Sequence, residues 1–390
     1  MKILHLFSDW KWTGPAEPTV NLCETLQKRG HQVIFAYRFP PFEVEDSIAH
    51  RVAGKNFQIT DKFRLRPLGK GHRGFALADN LRDLRALRKF IDTEEFDLIN
   101  VHNSHDHILG GLAAHLTKKR PVVIRTDHKR DAIKPSWANC LLVSRLTDGI
   151  VTFSEMARQK DSTRLPITAK RVGRVGVALQ LERYDPEGPF RNMRRVFNIN
   201  GEDLVIGIVA RFQKYRRTDV FLASLAKLVR EFPHVKALLV GRSSQIKESV
   251  IEPTRRFGLD AYVILAGYQT ENYLDTLAAM DIFVLLMAGS DGTARALREA
   301  MAMGKPAVVA RRGMLPEIVD DGVTGFVVDD TPENICAALR TLVTNESLRN
   351  QMGQMGREKA IREFRLEKQA KDVEAFYQHI TEMGPRVRVE

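Results

Sequence analysis

Short apolar runs alternate with longer amphipathic ones along nearly the whole chain, and this rhythm restricts the fold more than any other feature. MKILHLF precedes a helical stretch over 16–29, QVIFAY follows, and the beat continues through DLINVH, PVVIRT and GIVTFS. Continuous apolar runs are strands buried on both faces, and helix-length segments between them call for parallel pairing with helical crossovers. The expected class is therefore α/β with a doubly wound parallel sheet. Open sheets of this kind bind ligands at the carboxyl ends of their strands, which singles out Ser8, His102, Thr126, His128 and Ser154.

At 390 residues the chain is too long for one ordinary core, so two domains are expected. Over 176–203 the rhythm breaks into a stretch rich in turn formers and charges, and a second series then begins with LVIGIVAR, VKALLVG, AYVILAG, DIFVLL, PAVVA and TGFVV. We divide the chain into a Rossmann-like domain over 1–185, a linker over 186–202, a second Rossmann-like domain over 203–365, and a C-terminal helix and tail over 366–390. The two halves are expected to face each other across a cleft. Ala370, Val373, Phe376, Tyr377 and Ile380 give the tail helix an apolar face able to cross back onto the first domain.

The net charge of +12 implies an anionic partner: nucleic acid, a membrane surface or a phosphorylated substrate. Lys62, Arg64, Arg66, Lys70 and Arg73, then Arg82, Arg85, Arg88 and Lys89, form a basic run that also suits a solvated face. No basic-aromatic nucleic-acid module accompanies it. The start lacks a signal-peptide pattern and no segment reaches the length of a membrane span, so a cytoplasmic address is expected. Cys23, Cys140 and Cys336 are odd in number and far apart, as expected of buried thiols rather than disulfides or a zinc site.

The segment AGSDGTARALREAMAMGKP reads as a loop turning into a helix that ends at Gly304 and Pro306. Asp291 and Gly292 fall at the helix start, where free N–H groups favour an anion. By spacing alone Asp291 also suits the helix cap, with Glu299 on the exposed face. Arg211, directly after the strand VIGIVA, and Arg216 in the following loop are suited to clamp phosphate, because guanidinium forks bind its oxygens in pairs.

These residues resemble the retaining nucleotide-sugar glycosyltransferases of the group 1 type, which have the GT-B fold of two Rossmann-like domains. The family's two acids separated by seven residues stand here as Asp291 and Glu299, followed by EAMAMGKPAVVA and RRGMLPEIVDDGVTGFVVD. Arg211 and Arg216 stand where the family has Arg and Lys. In the first half GPAEPTVNLCETLQKRGHQV, VHNSH, IRTDH and VGRVGVALQLERYDP are similar to family segments in the same order. The resemblance implies that Arg211 and Arg216 hold the donor diphosphate, Glu299 the ribose, and Asp291 with Gly292, Thr293 and Ala294 the donor sugar. It further implies that Gly14 lets backbone approach the donor phosphate, that His128 lies near the reacting carbon, and that His102, His105 and Thr126 serve the acceptor side. Three positions depart from the pattern: Asp291 replaces Glu, Arg216 replaces Lys, and Arg217 stands where Gly is common.

The implied activity is transfer of a sugar, hexosyl-like, from a nucleotide diphosphate to an acceptor with retention, in cell-envelope glycan or lipopolysaccharide-type glycolipid synthesis. The alternative is a degenerate, non-catalytic sugar- or nucleotide-binding protein. No D-x-D pair is present, so the expected transfer is metal-independent and needs no cofactor beyond the nucleotide sugar. His102, His105 and His107 with Asp106 lack the separated spacing of a zinc site. GKGHRG, Gly69 to Gly74, satisfies G-x-G-x-x-G but lacks a strand in front and reads as a basic loop near the acceptor. The basic run further suggests peripheral contact with an anionic membrane on the cytoplasmic side.

Overall fold

A computed structural model describes residues 1–40, 47–67, 73–129, 131–289 and 293–386, with side chains of the helix beginning at Arg73 described from Leu77 onward. The strands are β1 (Lys2–Phe7), β2 (Gln32–Tyr37), β3 (Gln58–Thr60), β4 (Leu98–Val101), β5 (Val122–Thr126), β6 (Gly149–Thr152), β7 (Val172–Arg174), β8 (Leu204–Val209), β9 (Val235–Val240), β10 (Val263–Gly267), β11 (Ile282–Leu285), β12 (Ala307–Ala310) and β13 (Gly325–Val328). The α-helices are α1 (Ala16–Lys28), α2 (Ile48–Val52), α3 (Arg73–Glu94), α4 (Ser104–His115), α5 (Trp137–Leu146), α6 (Glu155–Arg164), α7 (Met193–Val196), α8 (Thr218–Glu231), α9 (Glu252–Arg256), α10 (Tyr273–Ala278), α11 (Arg295–Ala302), α12 (Leu315–Ile318), α13 (Pro332–Thr344), α14 (Glu346–Glu363) and α15 (Leu366–Met383).

Two compact units result: residues 1–178 with 366–390, and residues 179–365. The first carries a parallel sheet in the order β3-β2-β1-β4-β5-β6-β7, the second one in the order β10-β9-β8-β11-β12-β13. Both orders reverse direction once, at β1/β4 and at β8/β11. Right-handed crossovers running opposite ways from such a point put their helices on opposite sheet faces. In the first unit α1 covers the face lined by Ile3, Val33 and Phe35, while α3 and α4 cover the face lined by Leu4, Ile34 and Ile99. Adjacent strand residues thus feed different cores, which is why the strands read as unbroken apolar runs.

The segment 186–202, expected as a linker, is part of the second unit. Arg194 donates to Asp281 Oδ2 at 2.6 Å and to the Asp203 carbonyl at 3.0 Å, and Arg191 N–H donates to Asp275 Oδ1 at 3.0 Å. The tail helix α15 packs on the first unit against α1, burying Ala370, Val373, Tyr377 and Ile380 with Val20, Leu26 and Phe35. Gly149 on β6 lies where an added Cβ would come within 3.2 Å of Ile380. Beyond the helix, Arg386 N–H donates to buried Asp148 at 2.8 Å and its guanidinium to the Val143 and Pro166 carbonyls, both at 2.9 Å. Cys23 and Cys336 are buried, as expected, whereas Cys140 on α5 is only half-buried.

Trp10, Trp12 and Trp137 are all in the first unit, so intrinsic fluorescence follows that unit's unfolding. Ile380→Ala should destabilise it by about 2–5 kcal/mol through lost burial and the cavity left behind. The measurement is the fluorescence-detected denaturant midpoint, and an unchanged midpoint would contradict docking of α15 on this unit.

Candidate functional site

In the second unit β8 and β11 pair in parallel at the point where the strand order reverses, Ile206 opposite Ile282 and Gly207 opposite Phe283. Their connections, β8 to α8 and β11 to α11, leave the same edge of the sheet and diverge. At this edge Gly241 ends β9 with φ +140°, and a Cβ there would lie 1.9 Å from the Ala210 carbonyl oxygen. A side chain is excluded because β9 and the β8 exit touch by backbone.

Both helices at the reversal point begin alike. The residue before α8 is Arg217, with φ 62° and ψ 30°, and the residue before α11 is Ala294, with φ 41° and ψ 44°. Among the described residues neither cap residue, Arg217 or Ala294, makes a side-chain hydrogen bond to its helix. The first turns of both helices lie at this edge, where backbone N–H groups favour an anion. The left-handed region costs a residue with a Cβ about 1–2 kcal/mol, a cost that Gly would avoid at position 217.

Arg211 is exposed just after β8. Arg216 reaches across to β11, donating from Nη1 to the Met287 carbonyl at 2.8 Å, with its guanidinium 5.4 Å from the Tyr215 ring. Arg217 turns away: its Nε lies 2.9 Å from Asp330 Oδ2, and Arg312 binds the same carboxylate at 2.7 and 2.9 Å. The bidentate Arg312 contact holds the Asp330 carboxyl below its usual pKa. Arg211 and Arg216 are thus brought to one strand end, while Arg217 is engaged by another partner.

Glu299 is not on an exposed face. It is 3% exposed, and its carboxylate accepts from the Tyr184 hydroxyl at 2.8 Å, from Arg295 Nε at 2.6 Å and from the Tyr273 hydroxyl. Burial and the facing carboxylate push both tyrosine pKa values up, keeping them neutral donors. The Arg295–Glu299 contact was legible as an i,i+4 pair on a helix; Tyr184 and Tyr273 come from distant segments and carried no sequence signal. Thr293 and Ala294 are buried, and the Thr293 carbonyl accepts from Arg298 Nε at 3.0 Å. Asp291 and Gly292 lie outside the described residues.

In the first unit the strand ends hold a stack of histidines. His5, His102 and His128 have ring centroids 5.3 and 5.2 Å apart, and His5 Nδ1–His102 Nε2 and His102 Nδ1–His128 Nε2 are each 3.0 Å. Each contact needs one N–H and one lone pair, so three neutral rings satisfy the chain. Burial agrees, lowering His5 and His128 to about 3 and His102 well below its ordinary value. His128 is therefore a neutral hydrogen-bonding group, and His5 is a member that sequence reading missed. Thr126 exchanges hydrogen bonds with Asn100 at 3.0 Å, and His105 is half-buried with its pKa lowered to about 4, chiefly by burial.

Other sequence candidates make local contacts. Asp106 accepts from the Ser8 and Asn103 N–H groups, both at 2.8 Å, closing a capping box on α4. Ser154 caps α6 through Ala157 N–H at 3.1 Å. Gly14 lies in a turn closed by Ala16 N–H to the Thr13 carbonyl at 2.9 Å, just before α1. Residues 69–72 of GKGHRG lie outside the described residues. Among the described residues no three His, Cys, Asp or Glu side chains are grouped to hold a metal ion.

Tyr184→Phe should lower the stability of the second unit by about 1–3 kcal/mol, since it removes a donor from a buried carboxylate; calorimetry checks it. The histidine stack has the opposite readout, in the first unit. A folded pKa below the unfolded value of 6.5 means that protons bind preferentially to the unfolded chain. Its contribution is present above pH 6.5 and is lost as pH falls toward 3. Asp106 and Asp161, raised by burial to about 6 and about 7, act in the other direction. Asp83 and Asp127, also raised chiefly by burial, join them. With His105 and His107 lowered to about 4 and about 3, however, five histidines face four acids among the described residues. Fluorescence-detected stability should therefore fall on acidification below 6.5, and the His128 imidazole resonances should not titrate between pH 8 and 5.

Residues 189–359 match the family described as "Glycosyl transferases group 1", and residues 14–181 match "Glycosyltransferase Family 4". The chain is 24% identical to N-acetyl-alpha-D-glucosaminyl L-malate synthase of Bacillus anthracis, over 91% of each chain. It is 22% identical to the UDP-Gal:alpha-D-GlcNAc-diphosphoundecaprenol alpha-1,3-galactosyltransferase of Escherichia coli, covering 78% of this chain and 81% of that one. Among solved structures, Anabaena Alr3699/HepE in complex with UDP is similar with a TM-score of 0.77 and 18% identity, over 98% of this chain and 99% of that one.

Proposed function

We propose that this chain, which belongs to the group 1 glycosyltransferases, moves a hexosyl unit from a nucleotide diphosphate to an acceptor with retention at the anomeric carbon. The observation that carries the reading is the convergence of Arg211, Arg216 and the starts of α8 and α11 on the β8/β11 edge. As the bond from the anomeric carbon to the diphosphate breaks, its electron pair passes to the diphosphate. Cations and helix N-termini already in place stabilise that charge. The acceptor hydroxyl attacks from the same face and gives its proton to the departing phosphate, so no protein nucleophile is invoked.

We assign the diphosphate to Arg211 and Arg216, the ribose to Glu299, and the sugar to Asp291, Gly292, Thr293 and Ala294. Glu299 suits its role because Tyr184, Tyr273 and Arg295 hold its carboxylate in one orientation. Gly14, His128, His102, His105 and Thr126 are assigned to the first unit's share of the chemistry, with His128 acting as a neutral group. The acceptor belongs to a cell-envelope glycan or glycolipid met at the cytoplasmic face of the membrane, a reading supported by the net charge of +12 and by the relative named for a diphosphoundecaprenol-linked acceptor. Transfer requires no metal or cofactor.

Uridine, guanosine and adenosine diphosphate sugars should be screened by calorimetry, which follows both units. One of them should stabilise the chain, and Arg211→Ala should weaken its binding roughly ten- to a hundredfold, the loss expected for charge-assisted hydrogen bonds. Transfer should persist in excess chelator and yield the donor's own anomeric configuration. Indifference to every nucleotide sugar would reject the reading, activity abolished by chelator would reject metal independence, and an inverted product would reject retention.

A further inference from the structure

From Ile108 to its C-cap residue Leu116, helix α4 is apolar nearly all round. Its inner side, Leu109, Ala113 and Ala114, is buried in the sheet core, yet Ile108, Leu112 and Leu116 at four-residue spacing stand on its outer side, 40%, 39% and 49% exposed. A helix apolar on every side is normally covered on every side. Helix α4 packs between α3 and α5, and the flanking helices extend the same surface. Leu81 is exposed on α3, as are Trp137 and Leu141 on α5, with Trp137 81% exposed.

The rim of this surface is cationic. Arg82, Arg85 and Lys89 line a groove along α3 together with Ala78, Leu81 and Ala86, and none of the three cations has an acidic partner among the described residues. Lys118 and Lys119 follow α4, and Arg145 lies on α5, all exposed. By contrast Arg64 and Arg66, of the same basic run, are both paired with buried Asp79 and cannot serve without breaking that contact.

We propose that the outer face of α3, α4 and α5 is a docking surface for an anionic lipid bilayer. Ile108, Leu112, Leu116 and Trp137 enter the headgroup boundary while Arg82, Arg85 and Lys89 meet lipid phosphates. Apolar residues ringed by uncompensated cations complement an interface that is apolar beneath and negative at its surface. A protein partner would have to supply both an apolar strip and a matching acidic rim, and a second copy of this chain carries the same positive rim. The proposal rests on the membrane-linked acceptor of the functional reading, and its test uses no donor or acceptor.

Full-length chain is floated with vesicles of phosphatidylcholine alone, and with vesicles in which about one third is phosphatidylglycerol. Binding to the anionic vesicles is expected, with Trp137 emission shifting to the blue, and much weaker binding to the neutral ones. Leu112→Asp with Leu116→Asp, and separately Arg82→Glu with Arg85→Glu and Lys89→Glu, should each lower partition about tenfold or more. Fluorescence-detected unfolding checks that both variants fold, and calorimetry with nucleotide sugars checks donor binding, so loss of the docking surface and loss of the transferase reading are separately visible. Absence of vesicle binding, or binding that survives both sets of substitutions, overturns the proposal. So does a wild-type dimer that Leu112→Asp converts to monomer in sedimentation velocity, since the face would then be covered by a second copy.

Discussion

The parallel pairing of β8 with β11 is the constraint on which the second unit's candidate site depends. Because the chain leaves β8 toward β9 and leaves β11 toward β12, right-handed connections carry α8 and α11 to opposite faces. The two loops separate at the sheet edge, and polar backbone that would otherwise be buried stays accessible there. Arg216 spans the gap by bonding the Met287 carbonyl beyond β11, so the cation is held at the reversal point by the strand pairing itself.

Charge at that edge is managed in two ways. Glu299 is buried but held by three donors, which fix its orientation. Arg217, at a left-handed position, is held by Asp330, a carboxylate that it shares with Arg312. In the first unit the equivalent edge holds His5, His102 and His128 as neutral rings bonded to one another, beside the buried Arg125–Asp127 ion pair. Desolvation disfavours charge on all three, and a stack of imidazoles can meet its hydrogen-bonding needs without charge.

The first unit treats its two sheet faces differently. One is closed by α1 and by α15, which returns from the far end of the chain; the other is closed by α3, α4 and α5. Burying the inner side of α4 does not account for the apolar residues on its outer side, and that surplus separates a helix that merely covers a sheet from one that also presents a surface.

Much of the architecture was legible in the sequence. Apolar runs of strand length, spaced by helical segments, already dictated parallel pairing, and strand ends such as Arg211 and His128 followed from counting along them. The i,i+4 relation of Arg295 to Glu299 was readable from helical geometry. What pattern could not supply was anything that depends on distant segments meeting. Tyr184 and Tyr273 reach Glu299 from two other loops, Asp330 draws Arg217 away, Asp79 ties down Arg64 and Arg66, and His5 joins His102 through the β1/β4 pairing. Local spacing encodes which face a residue takes on its own element. Which charges are neutralised and which remain available is decided only when elements far apart in the chain are brought within hydrogen-bonding distance.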